Sequence, residues 1–358
     1  MTTRSVLGAL ALAVLCTGAV RAQDEPSRHR VFPVPILGYT PETSLLLGIA
    51  VVGVTSPGDA GPETRPSTGL ATATYTLKSQ YSASLWGERW TSGDRWHLTV
   101  ETWISRVPSY YHGIGGDATD TSETYTPQTA ALIATVQRRV ARHLFAGVGY
   151  AVRHARMVET EPGGRLADGV VPGSRGGTTS SLLVDGVWDS REAIYRTQRG
   201  LFARLALATS GGALGGKFDF LRMTADVRSY RALRPGVVLA AQAMVDAVSG
   251  TVPFELLPKL GGQNLLRGFT EPRFRDEAMA AAQVEVRAPL RGIVSWAAFV
   301  GAGSVASTLA RLDDERSRVA GGLGLRFLLD RNEGLQLRVD YALARGGGGL
   351  YVAAGDAF

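Results

Sequence analysis

The chain is almost without cysteine: Cys16 is the only one among 358 residues. Everything after it can therefore form neither a disulfide nor a cysteine-ligated metal centre, and stability must come from packing or backbone pairing. Long apolar runs are missing too. Beyond residue 22 no segment has the roughly 20 consecutive apolar residues that a membrane-spanning helix needs. Histidine is sparse, and His29, His97, His112, His143 and His154 show neither metal-ligand spacing nor a serine in a nucleophile context. His97 and Glu101, spaced to share one face of a strand, would make a small polar cluster rather than an active site. The run Gly346 to Gly349 lacks the lysine and helix of a phosphate loop and reads as a turn. No catalytic constellation emerges, so the expectation is a protein that is not an enzyme and has no cofactor and no metal.

Strong charge is absent as well. The formal charge is +6, and losing Arg4 and Arg21 with a leader leaves 36 basic against 32 acidic residues, or +4. That excess is too small and too dispersed to suggest nucleic acid. The leader is read from Arg4, an apolar stretch from Val6 to Val14 and on to Val20, and Val20-Arg21-Ala22 before Asp24 and Glu25. Residues 1–22 are expected to be a cleaved signal peptide, 23–30 a short periplasmic segment and 31–358 one outer-membrane domain. A lipoprotein reading centred on Cys16 is the alternative, opposed by the bulky Leu15 where lipidation wants a small residue. About 335 residues would remain, enough for two soluble domains or one large barrel.

What the chain has in abundance is glycine, 44 residues, and alternation with period two. Leu335, Leu337, Val339, Tyr341 and Leu343 fall on one face of a strand, with Gln336, Arg338 and Asp340 on the other. Trp96, Leu98, Val100 and Ile104 oppose His97, Thr99 and Glu101. Val284, Val286 and Leu290 oppose Gln283, Glu285 and Arg287, and Leu323, Leu325, Phe327 and Leu329 alternate with Gly322, Gly324 and Arg326. A helix would mix these sets and a strand separates them. Such segments, each about ten residues long and separated by turn signals, run from Val31–Tyr39 and Ser44–Val54 to Leu335–Arg345 and Leu350–Phe358, about sixteen in all. The expected fold is all-β, a transmembrane antiparallel β-barrel of about 16 strands. Without spanning helices, only a closed sheet satisfies backbone groups in lipid. A soluble sandwich with one wet face is the competing reading. Tight links such as Ser92-Gly93-Asp94-Arg95, Arg142 and Leu233-Arg234-Pro235-Gly236 suit the periplasmic side. The polar stretches Ser109–Gln128 and Glu159–Gly177 suit the outside.

The longest structured insertion, Thr251 to Glu277, lies between the eleventh and twelfth strands. It contains Gly261-Gly262-Gln263-Asn264-Leu265-Leu266-Arg267-Gly268-Phe269 and then Arg273-Phe274-Arg275-Asp276. Gly261 and Gly262 permit a sharp reversal. Two readings are open on pattern alone: an exposed glycine-rich loop, or a loop folded into the lumen with Phe269 on the wall and Arg267 paired with a carboxylate.

Leu266-Arg267-Gly268-Phe269 resembles the Val-Arg-Gly-Phe/Tyr loop motif of the BamA/TamA superfamily, the bacterial surface antigen family. In that family the motif also lies between strands eleven and twelve of sixteen. Gly38 to Thr43, Asp189-Ser190-Arg191 with Arg199-Gly200, Gly322 to Arg326 and the final Phe358 match further. The resemblance covers essentially the whole barrel. It implies an inward-folding loop, and a carboxy-terminal aromatic strand that resembles the signal for outer-membrane insertion, with Phe358 as its last residue. Two departures stand out. The family has periplasmic POTRA domains, and this chain is expected to be a barrel-only branch. The family also pairs the loop arginine with an aspartate in a Phe-x-Asp-x-Gly pattern, where this chain has Phe299-Val300-Gly301-Ala302-Gly303, so Glu285 becomes the candidate partner of Arg267 and the lock is expected to be weaker.

The resemblance implies assistance with insertion or translocation of proteins, or of lipids, at the outer membrane, through a weak seam between the first strand, near Val31–Tyr39, and the last, ending at Phe358. The implied partners are outer-membrane lipids and lipopolysaccharide, the barrel assembly machinery for the chain's own insertion, and a separate periplasmic or exported client. A passive channel or structural barrel is the alternative function, and adhesion through the long loops is a third.

Overall fold

The computed structural model describes residues 29–40, 44–55, 64–116, 122–269, 273–312, 317–329 and 334–358. The signal-peptide reading, the segment before His29 and the hairpin tip at Pro41–Thr43 lie outside these residues. The elements in chain order are β1 (His29–Thr40), β2 (Ser44–Thr55), β3 (Ser67–Thr76), β4 (Tyr81–Trp90), β5 (Trp96–Arg106), β6 (Ser109–Tyr111) and β7 (Glu123–Ala141). Next are β8 (Leu144–Thr160), β9 (Gly177–Asp189), β10 (Gly200–Ser210), β11 (Phe220–Arg234), β12 (Val237–Gly250), β13 (Lys259–Leu260) and β14 (Phe274–Arg275). The last five are β15 (Ala278–Arg291), β16 (Val294–Ala306), β17 (Arg318–Leu328), β18 (Gln336–Ala344) and β19 (Gly347–Ala354).

Sixteen of these are long, and each pairs antiparallel with the next long strand in sequence, from β1 with β2 through to β18 with β19. Short β6 adds to β7, and β13 and β14 form a small ribbon of their own. This is the meander of a transmembrane β-barrel. It curls on itself: Leu335, just before β18, packs with Val52 and Val54 of β2 and with Tyr195 from the β9–β10 turn. Links also cross the interior near the long-loop end, where Arg275 donates to the Tyr110 carbonyl at 3.3 Å and Arg318 to the Gly116 carbonyl at 2.8 Å.

The pleat sorts the side chains as the alternation requires. Leu98, Val100 and Ile104 of β5, Leu205 and Leu207 of β10, and Leu323 and Leu325 of β17 are exposed on the outer face. In soluble protein such a belt would be a liability; against lipid it is the buried surface. Inside, the polar alternates such as Gln283, Glu285, Arg326, Arg338 and Asp340 are buried.

Four expectations change. Leu335 does not extend the outward face of β18. It precedes the strand, and the left-handed Gly334 (φ 74°) turns it inward onto Val52 and Val54. The loop after β5 is partly strand, because β7 begins at Glu123 and β6 pairs beside it, bringing Tyr111 and Tyr125 edge-on to Phe254. Gly347–Gly349 are not a turn but the start of β19, with Gly347 opposite Ala344. Finally, β19 ends at Ala354, not at Phe358. Left-handed Gly355 (φ 77°) ends it, and Phe358 is buried inside with Tyr230 and Ala240, its main-chain oxygen accepting from Arg287 at 3.0 Å. Phe358, beyond the end of β19 and packed with Tyr230 and Ala240, is therefore not an edge residue opposite β1.

The outer belt yields a direct test. Leu205→Arg, mid-strand on the lipid face, is expected to destabilise the folded barrel by about 2–4 kcal/mol, with a much smaller effect for Leu205→Ile. Urea unfolding in lipid, read by the mobility difference between folded and unfolded barrels on gels, measures it.

Candidate functional site: the buried arginine lock of the inserted loop

The chain leaves β12 at Gly250, forms one 3-10 turn at Phe254–Leu256 and then the β13–β14 ribbon, whose tip is the loop from Gly261 to Phe269. Gly261 and Gly262 both take left-handed φ angles, 116° and 112°, and the Gly262 amide donates to the Phe269 carbonyl at 3.0 Å. The reversal therefore closes on itself. Its apolar side chains make a small core against the wall: Leu260, Leu266, Phe269 and Phe274 pack with Met279, Ala281, Val305 and Ala320. Phe269 and Phe274 meet edge to face at 5.4 Å. Of the two readings of this insertion, the structure shows the inward one.

Arg267 lies at the centre and is fully buried. One Nη donates to Glu285 Oε2 of β15 at 2.6 Å and the other to Asp340 Oδ2 of β18 at 2.5 Å. Its guanidinium also lies 3.4 Å from the ring centroid of Phe299 on β16, a cation–π contact in a desolvated setting. Three strands, β15, β16 and β18, thus grip one side chain. Glu285 and Asp340 are in turn held by others: Arg326 bridges them at 3.0 and 2.5 Å, and Arg287 donates to Glu285 at 2.8 Å. Asp356, beyond β19, accepts from Arg287 at 2.9 Å, from Arg326 at 3.3 Å and from Gln336 at 2.6 Å. Arg338 donates to Asn264 Oδ1 of the loop at 2.9 Å, and Gln283 to the Asn264 carbonyl at 2.7 Å. Charges this deep are tolerable only when paired, and each arginine here has a carboxylate beside it, although Arg267 Nε and Arg338 Nε find no hydrogen-bond partner among the described residues.

Gly268 explains why arginine is followed by glycine. Its φ is 120°, and a Cβ there would come within 3.2 Å of the methyl carbons of Ala320 and Ala344. The backbone approaches the wall so closely that the Gly268 amide reaches the Tyr351 hydroxyl of β19 at 2.9 Å. Glu285, named from sequence, is in contact with Arg267; Asp340 and the clustered arginines were missed. Their alternation was visible in β18, but the pairing of β18 near the loop is a long-range fact. At Gly301 an aspartate would not fit: a Cβ there would lie 2.8 Å from that of Gln283 and 3.3 Å from Leu266. The second carboxylate on Arg267 comes from Asp340 instead, two strands away.

His97 and Glu101 do not pair. His97 contacts Glu88 at 3.0 Å and Gln137 at 2.9 Å and stacks on Trp90 at 3.7 Å. Asp189 and Arg191 form an ion pair at 2.9 Å at the short-turn end, beside the same side of the lumen. Among the described residues no group of three or more metal-ligating side chains occurs.

A sixteen-strand meander whose inserted loop is pinned by a buried arginine defines a particular class of barrel. The model of the Omp85 superfamily domain matches residues 66–346, and the chain belongs to that superfamily. Solved structures agree on the fold. BamA from Haemophilus ducreyi lacking POTRA domains 1–3 superposes with a TM-score of 0.58 at 15% identity, covering 97% of this chain and 75% of that one. CdiB from Escherichia coli gives 0.57 at 11%, with 98% and 67% covered, and CdiB from Acinetobacter baumannii 0.55 at 10%, with 88% and 56% covered. No curated protein matches the sequence. The chain is thus a β-barrel of the outer-membrane insertion and translocation type.

Removing the lock's centre should be costly. Arg267→Ala leaves Glu285 and Asp340 facing the other arginines without it, and is expected to cost about 3–5 kcal/mol in urea unfolding and to open residues 261–269 to protease. Arg267→Lys keeps the charge but not the two-pronged geometry and should recover only part of the loss.

Proposed function

We propose that this protein assists the insertion or translocation of proteins, or of lipids, at the outer membrane, with lateral access at the side of the barrel where the terminal strands lie. The observation that carries the reading is the Arg267 lock, which ties the inserted loop to β15, β16 and β18 and, through Gly268, to β19. The wall on that side is tied to the loop from β15 to β18 and less extensively paired beyond it. β19 is paired with β18 over eight residues, three of them glycine, whereas β7 and β8 run together for most of their length. A short glycine-rich edge strand is the place where a client strand could pair with the barrel.

On this reading the chain carries a leader over residues 1–22, resides in the outer membrane with lipid and lipopolysaccharide around its belt, is inserted there by the barrel assembly machinery, and acts on a separate periplasmic or exported client protein. Phe358 would act as an insertion signal before the barrel is complete, since in the folded chain it is buried inside. A passive channel is less well supported, because the loop with its own small core occupies the lumen on one side.

The protein reconstituted in liposomes should speed the folding of an added barrel client several-fold, followed by gel mobility, with Arg267→Ala losing most of that gain. Failure to speed any client, combined with large steady bilayer conductance from the intact chain, would make the channel reading the correct one.

A further inference from the structure

The half of the barrel opposite the lock is not filled. A cavity of about 570 Å³ lies against the inner face of β4 to β12, a size in the range of small-molecule sites. Its charged groups are nearly all spoken for. Arg153 pairs with Glu255, Arg191 with Asp189, Arg204 with Asp185, Arg222 with Asp246, and His97 with Glu88. Glu101 is the exception: it faces the lumen, is exposed to it, and has no hydrogen-bond or ionic partner among the described residues.

The neighbours of Glu101 are aromatic and apolar. In the ladder Trp86 of β4 stands directly opposite it on one side and Ile133 of β7 on the other, while Trp103 follows two positions along β5 on the same face. All of them line the cavity. Trp90 is used up by stacking on His97 and by Phe145. Among the described residues, Trp86 and Trp103 have no ring or cation on them. The wall therefore offers one carboxylate without a hydrogen-bond or ionic partner beside two indoles with no ring or cation on them. Indole faces attract cations, and organic ammonium groups are bound by aromatic side chains set around them. An inorganic ion would gain little from indoles, and an anion would be repelled. A neutral apolar molecule would make no use of the carboxylate.

We propose that Trp86, Glu101 and Trp103 form a lumen site for an organic ammonium ion with an apolar body, the charged head at Glu101 and the body along the indoles and Ile133. The site is independent of the arginine lock, since none of its residues touches that network.

The test is calorimetric titration of the full-length barrel in maltoside micelles with benzyltrimethylammonium, and with benzyl alcohol as the uncharged counterpart, each corrected for empty micelles. The cation should bind saturably at one site and at least about tenfold more tightly than the alcohol. Glu101→Gln should lower its affinity by about tenfold or more, as should Trp86→Leu with Trp103→Leu, while Asp168→Asn in an exposed loop leaves it unchanged. Gel mobility confirms that each variant is folded, and Glu101→Asp, which keeps the charge, should retain most of the binding if the fold is intact. Absence of saturable binding to the parent barrel, or equal affinity in folded Glu101→Gln, would overturn the proposal.

Discussion

The contact on which this half of the molecule depends is the fork of Arg267 between Glu285 and Asp340. A guanidinium removed from water is stable only if its donors are met by acceptors of opposite charge, and those acceptors must themselves be neutralised. Here two carboxylates on β15 and β18 meet it at 2.6 and 2.5 Å, and Arg326 and Arg287 complete the set. Because the acceptors sit on strands that are not adjacent, the loop can be bound only when the wall between them is correctly registered. The loop thus reports on, and stabilises, the curvature of the sheet from β15 to β18.

The rest of the interior follows from the same partition. A strand with lipid on one side must place its polar residues inside, so the lumen inherits more charge than a soluble core would hold. On the lock side these charges are gathered into one dense network. On the opposite side they pair locally across neighbouring strands, as in Arg222 with Asp246 and Arg204 with Asp185, and leave open space between them. The loops close the long-loop end with a separate apolar cluster around Phe254, itself fully buried. The barrel is therefore asymmetric inside although its outer belt is uniform.

Much of this was legible in the amino-acid sequence because alternation is a local property. The outward faces at Trp96–Ile104 and Leu323–Leu325, the sixteen long strands and the position of the insertion could be read from pattern. Glu285 could be named because it lies on an inward face close in sequence to the loop. What failed was non-local or turned on one backbone angle. Asp340 becomes a partner of Arg267 only when β18 closes beside the loop, and nothing within β18 announces that. Leu335 and Phe358 lie next to strands whose alternation would place them outward or at the edge, and Gly334 and Gly355, both left-handed, redirect them inside. His97 took Glu88 from the neighbouring strand rather than Glu101 from its own, because cross-strand partners lie closer than residues four apart along a strand.

The most direct test of the central claim is a double-mutant cycle on Arg267 and Asp340, with stability measured by urea unfolding in lipid for Arg267→Ala, Asp340→Asn and the pair together. A buried, hydrogen-bonded ion pair that holds the loop predicts strong non-additivity, a coupling of about 2 kcal/mol or more. Additive losses, with a coupling near zero, would contradict it and would mean that the loop is held by its apolar cluster alone.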